Sequence, residues 1–166
     1  MKKDCKRKGI YVLSFLPAIL MMCVIFLFSA QDAESSGDMS KGVSVGIVET
    51  VSKLSGKTIS KRHIRQFADW IEKPLRKVAH MTEYFVLALL WMLPFHLYGF
   101  SEKRLVCFIL IICVLTAAGD ELHQYFVSGR SASVIDVGID SIGTGAALLL
   151  RQCLCLMIKK HRENIV

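Results

Sequence analysis

The sequence contains no Cys-x-x-Cys pair and no His-Glu-x-x-His, so neither a zinc-finger spacing nor the zincin hydrolase motif is present. A phosphate-binding glycine loop is missing too, which removes the signature of P-loop nucleotidases. Internal repeats of the kind that build secondary transporters are not found, and four spans make a small frame for one unless dimerisation enlarges it. The six cysteines, Cys5, Cys23, Cys107, Cys113, Cys153 and Cys155, lie mostly in apolar stretches without ligand spacing, so neither disulfides nor a zinc finger is expected. Charge is missing from a long stretch as well: Ile10–Ala30 carries none.

What is present is apolar residue in long runs. The chain is 53% hydrophobic over 166 residues, with a mean hydropathy of +0.45, richer than an ordinary globular domain. Ile10–Ala30 is long enough to cross a bilayer of about 30 Å at about 1.5 Å per residue. Three further runs of spanning length, Val78–Tyr98, Leu105–Val127 and Val134–Ile158, carry polar interruptions. The expected fold is therefore all-α: an integral membrane protein of four transmembrane helices, forming one domain over residues 1–166. A cleaved secretory signal is the competing reading of the first run. Its apolar core exceeds the usual signal length, "FSAQDA" is a loose cleavage pattern, and "LMMC" lacks the small residues that precede a lipidated cysteine.

The net charge of +7 does not point to nucleic acid, because the basic residues flank the apolar runs, where they anchor and orient helices. Lys and Arg divide equally between the two sides of the four-span arrangement. The first helix usually dominates orientation, and Lys2, Lys3, Lys6, Arg7 and Lys8 precede it, so both termini are expected in the cytoplasm of a cell-membrane protein.

The loop 31–77 begins small, polar and turn-like with "SAQDAESSGDMSKG". Val43, Ile47, Val48, Val51 and Leu54 then recur at helical spacing, and so do Ile64, Phe67, Ala68, Ile71 and Leu75. Both sets have basic residues opposite, as in short amphipathic helices on a membrane surface; a partly ordered linker is the alternative. Pro74 suits the first turn of the helix that follows.

Ionisable residues inside the spans are the informative feature. On the second span Arg76, Lys77, His80, Glu83 and Tyr84 fall within an arc of roughly 120°, and on the third Asp120, Glu121, His123 and Gln124 cover roughly 160°. On the fourth, Asp136 and Asp140 share a face with Gly143 and Ala147. The groups stand at the start, the end and the start of their spans, so antiparallel neighbours bring all three to one side of the membrane. A carboxylate on an isolated helix at the bilayer centre costs about 2.5–3.5 kcal/mol on insertion scales. Such groups must face each other, water or a ligand. Arg76 and Lys77 are misplaced for the dipole of their own helix, as are Asp120 and Glu121 for theirs, so pairing between these two helices is expected.

Plainer roles compete at each position. Asp136 is either a site residue or the acid of a Ser133-x-x-Asp136 capping box. Arg130 in "SGRS" is either an interfacial anchor or a partner for the acids beside it. His80 and His123 serve equally as packing residues, and Tyr84 as an interfacial ring. Gly143, Gly145 and Ala147 permit close helix contact. Around the cluster carboxylates outnumber the cations Arg76, Lys77 and Arg130, an excess that shared protons, protonated histidines or a bound cation would relieve. His80-x-x-Glu83 and Asp120-x-x-His123 could each offer two metal ligands, but the same pairs serve as hydrogen-bond networks, and no metal is assigned.

"RKVAHMTEYFVLALL" (Arg76–Leu90), then "DELHQYFVSGRSASVIDVGIDSIGTGAALL" (Asp120–Leu149), with "FSAQDAESS" after the first span, closely resembles the VanZ-like membrane protein family. The resemblance covers nearly the whole chain and attaches importance to Arg76, Lys77, His80, Glu83, Tyr84, Asp120, Glu121, Gln124, Arg130, Asp136, Asp140 and Gly143. That family is named for a protein that lowers susceptibility to the glycopeptide antibiotic teicoplanin. The resemblance thus implies a role at the outer face of the cytoplasmic membrane of a Gram-positive bacterium, without supplying a reaction or a cofactor.

Two function classes remain open from the residues. One is a non-catalytic module whose Arg76, Lys77 and Arg130 bind an anionic head group, from a membrane lipid or a lipid-linked cell-wall precursor. The other is an intramembrane enzyme that uses Glu121 or His123 as general base or metal ligand on a lipid substrate, with Ser131 and Ser133 as its weakly supported nucleophiles.

Overall fold

In hydrocarbon each backbone N–H and C=O must find its partner within its own segment, and every apolar run of the chain is accordingly helical. The structure is a computed structural model that describes residues 9–56 and 59–163. The basic residues Lys2, Lys3, Lys6, Arg7 and Lys8, and with them Cys5, lie outside the described residues. Five helices make up the fold, with no strand among the described residues. They are α1 (Gly9–Ser29), α2 (Ala33–Leu54), α3 (Lys61–Leu97), α4 (Glu102–Tyr125) and α5 (Val134–Glu163). All but α2 are long and apolar enough to cross a membrane.

Pro17 lacks an N–H and sits in the first turn of the regular part of α1, Leu16–Ser29. The turn before it is closed by the Ser14 hydroxyl, which donates to the Tyr11 carbonyl at 2.7 Å.

The loop after α1 departs from expectation in two ways. Its small polar start is helical from Ala33 onward, capped by Asp32, whose carboxylate accepts from the Ser35 N–H at 2.7 Å. Serine hydroxyls inside α2 bond back along the helix, Ser40 to the Ser36 carbonyl and Ser44 to the Ser40 carbonyl, both at 2.8 Å. The second amphipathic set is not a separate surface helix. It is the first half of α3, continuous with the span over 37 residues, or about 55 Å. Pro74 therefore lies inside a helix rather than in its first turn.

The pairwise contacts fix the directions. Lys77 meets Asp136 and Met81 meets Gly143, so α3 and α5 run parallel. Glu121 meets Ser133 while Arg151 grips Glu102 with both terminal guanidinium nitrogens (Nη2 to Oε1 2.8 Å), so α4 is antiparallel to α5. Helix α1 lies antiparallel to α3: its Phe15 ring packs edge-on to Trp91 and Phe95, with centroids 5.9 and 6.4 Å apart. Those aromatics occupy one end of the bundle, and the ionisable residues gather at the other. Between the ends the core is Ile25 of α1, Leu87 and Ala88 of α3, Leu105, Ile109 and Cys113 of α4, and Ala147 of α5. Helix α2 packs against the first half of α3 through buried Ser44, Ser52, Ile64 and Ala68. Lys41 and Asp69 pair across the edge of that contact at 3.4 Å.

Helices α3 and α5 come very close at Gly143. A Cβ built there would meet the Met81 carbonyl oxygen head-on and stand 2.9 Å from its carbon, so only glycine lets α5 lie this near α3. Gly143→Val is expected to cost about 1–3 kcal/mol by forced separation of the helices, measured as a lowered thermal midpoint of the protein in detergent. A second expectation concerns pH. The Ser35 backbone N–H holds the Asp32 carboxyl below the usual carboxylate range. Its contribution is complete above the unfolded pKa and is lost as pH falls through the lower, folded value. Amide exchange in the first turn of α2 should accelerate in that acidic window in the wild type, whereas Asp32→Asn should flatten the response.

Candidate functional site

At the ionisable end of the bundle α3, α4, α5 and the turn between α4 and α5 enclose a cavity of about 450 Å³. Its charged lining is Lys73, Arg76, Lys77 and Arg130 against Glu121, Asp136 and Asp140, with His80 between them. Cations thus outnumber acids at the wall. The acid excess expected from sequence reverses because Lys73, ahead of the apolar run, faces the cavity, while Glu83 lines a neighbouring groove and Asp120 is buried away from the wall.

The pairing is also different from expectation. Arg76 does not reach Asp120 or Glu121: its Nη2 donates to Glu72 one turn back on the same helix, at 2.9 Å. Lys77 crosses to Asp136 on α5. The acids of α4 are already engaged. Glu121 Oε2 accepts the backbone N–H of Ser133 at 2.7 Å, and Asp120 Oδ2 accepts from Gln124 Nε2 at 3.0 Å. An i−4 carboxylate and a free helix-start N–H are nearer partners than a cation across the bundle. Glu72 went unnoticed in the sequence because it lies outside the apolar run that drew attention to its neighbours. Its spacing of four from Arg76 was the available signal.

These contacts settle the local roles of several residues. Of the two roles open to Asp136, the capping box is not formed, since the Ser133 N–H belongs to Glu121 and the Asp136 carboxylate to Lys77. Glu121 therefore caps α5 from a neighbouring helix and pins the turn that carries Arg130. That turn needs Gly129, whose φ of +74° is in the left-handed region and whose Cα side faces Ala33 at the start of α2. The Ala33 N–H donates to the Ser128 carbonyl at 3.3 Å, tying α2 to the same turn.

Arg130 makes no ion pair among the described residues, and its buried Nε has no hydrogen-bond partner there; the Arg76 Nε is in the same state. Burial, with the neighbouring Arg76 guanidinium as the next cause, pushes Arg130 below the ordinary guanidinium value. A guanidinium stays protonated in a protein regardless, so two partly desolvated cations face each other across this wall.

Beneath the cavity lies a buried layer, which Asp140 joins to the wall. Asp120 and Tyr84 are 0% exposed, and Asp140 is buried beside them. The Tyr84 hydroxyl and Asp120 Oδ1 make no hydrogen bond within the described structure, and Ser29 of α1 stands next to Asp120. His80 Nδ1 lies 3.3 Å from Glu83 Oε2, close enough for an ion pair but poorly aligned for a hydrogen bond. His123 is the one candidate turned away: its ring packs edge-on to Phe26 of α1, with centroids 6.1 Å apart. Among the described residues no group of three or more His, Cys, Asp and Glu is placed to hold a metal ion.

Removing the cap tests this construction. Glu121→Ala leaves the Ser133 N–H without its partner and is expected to cost about 1–2 kcal/mol, whereas Glu121→Gln keeps an acceptor oxygen in place. Thermal unfolding of both variants in detergent should separate them, and equal midpoints would contradict the capping role.

Residues 14–155 match the model of a family described as VanZ/LLP1. No curated protein and no solved structure matches the chain.

Proposed function

The chain belongs to the VanZ/LLP1 family and is a multi-pass membrane protein, and on that premise we propose that it is a non-catalytic module which binds an anionic head group at the outer face of the cytoplasmic membrane. The head group is that of an envelope lipid or a lipid-linked cell-wall precursor, and its binding lowers susceptibility to glycopeptides such as teicoplanin in a Gram-positive cell. Both termini then lie in the cytoplasm, and the cavity opens outward.

The observation that carries this reading is the convergence of Lys73, Arg76, Lys77 and Arg130 on one cavity, with Arg130 free of any ion pair among the described residues. A guanidinium presents a planar fork that matches phosphate or carboxylate oxygens, and such hydrogen bonds are roughly twice as strong as neutral ones. Basic pockets between helices near a membrane face suit phospholipid head groups. Two of the three acids at the wall have other duties: Asp136 neutralises Lys77 and Glu121 caps α5. A cation left over in that balance is available to a ligand.

The test is teicoplanin susceptibility in a sensitive Gram-positive host, with membrane expression matched across empty vector, wild type, Arg130→Glu and Glu121→Gln. Wild type and Glu121→Gln should protect equally, and Arg130→Glu should fall to the vector level. Protection lost in Glu121→Gln but kept in Arg130→Glu would turn the reading towards acid–base chemistry. Lack of protection by the wild type would sink the glycopeptide role.

A further inference from the structure

Beside the charged cavity lies a smaller groove of about 200 Å³, between the end of α1, one face of α2 and the middle of α3. Its apolar lining includes Phe28, Met39, Val43, Leu75 and Ala79. Arg76, His80 and Arg130 line both spaces. Those three side chains are therefore a partition, polar on one side and oily on the other. The groove is also at a telling depth. Ala79, His80 and Glu83 lie where α3 passes from its amphipathic half into its apolar half, and Phe28 lies in the last turn of α1. That is the level at which a bilayer changes from head group to acyl chain.

Resting on the head-group reading above, we infer that the ligand is an anionic membrane amphiphile whose hydrocarbon chain lies in this groove between α2 and α3 while its charged end occupies the cavity behind Arg76, His80 and Arg130. The two compartments meet at the two guanidinium groups, so a phosphate at the boundary is within reach of both while its chain points to the apolar side. Val43 and Met39 are half exposed and Ala79 is exposed, which leaves the groove open along its length. The ligand thus enters sideways from the membrane, and the part of its chain that the groove cannot hold remains among the lipids. A soluble anion would use the cavity alone and gain nothing from the groove. The groove adds apolar contact that a free phosphate lacks, and that contact is what selects amphiphiles over the abundant inorganic anion.

The experiment uses the full chain in phosphatidylcholine nanodiscs with an alkyl phosphate that carries a diazirine near the head-group end of its chain. On irradiation, wild type should be labelled within residues 36–43 and 75–83, and excess unlabelled alkyl phosphate should remove the label. Ala79→Trp fills the groove from an exposed position without entering the core, and should lower labelling at these segments at least tenfold. Val43→Trp, from the α2 side, should do the same. Arg130→Glu should abolish labelling by removing the anion contact. Label spread along the lipid-facing surface, or undiminished in both tryptophan variants while Arg130→Glu still abolishes it, overturns the chain seat and leaves the head-group reading standing. Labelling of Arg130→Glu at the wild-type level overturns both.

Discussion

A charge held at the edge of hydrocarbon has to be answered by another group of the protein, and the arrangement of this molecule follows from how that is done. Several of the acids and two of the cations at the polar end are matched across or along helices. Lys77 takes Asp136, Arg76 takes Glu72, and Glu121 takes a backbone N–H at the start of α5. The matches need three helices within side-chain reach at one level, and Gly143 permits that by letting α5 settle on the Met81 carbonyl. Substitution at Gly143 would therefore act on the site without touching any ligand, by separating groups that are stable only together.

The four spans were legible in the sequence because hydrocarbon admits so few backbone solutions. The convergence of three charged segments on one end was equally readable, from helical arcs and the alternating direction of the spans. What the sequence concealed were the partners. Cross-bundle pairing seemed required when only the apolar runs were weighed. Glu72 and Lys73 lie ahead of the run, and a backbone N–H at a helix start leaves no mark in composition. The full length of α2 was hidden for a different reason. Gly37, Gly42, Gly46 and the serines around them have weak helix propensity, yet α2 is held against α3 through its buried Ser44 and Ser52. Tertiary contact outweighs propensity there.

Division of labour among similar residues is a further lesson of the site. His80 and His123 look equivalent in sequence, each three positions from an acid, yet one lines both cavities and the other packs against Phe26. Asp120 and Glu121 are adjacent, but successive residues on a helix point about 100° apart. One is buried against Gln124 and Ser29, and the other reaches the turn at Ser133. Geometry, rather than residue type, separates positioning from binding.

Pro74 has a mechanical meaning. It removes the hydrogen bond that would have tied the Trp70 carbonyl to the next turn of α3. The long helix thereby lacks one backbone bond two residues before Arg76, as it does again at Pro94. Above that point the helix is braced by α2, and below it by α4 and α5. The weakened turn thus lies between two braced segments and beside the cavity, so the arm formed by α2 and the first half of α3 joins the site through the residues that carry its cations.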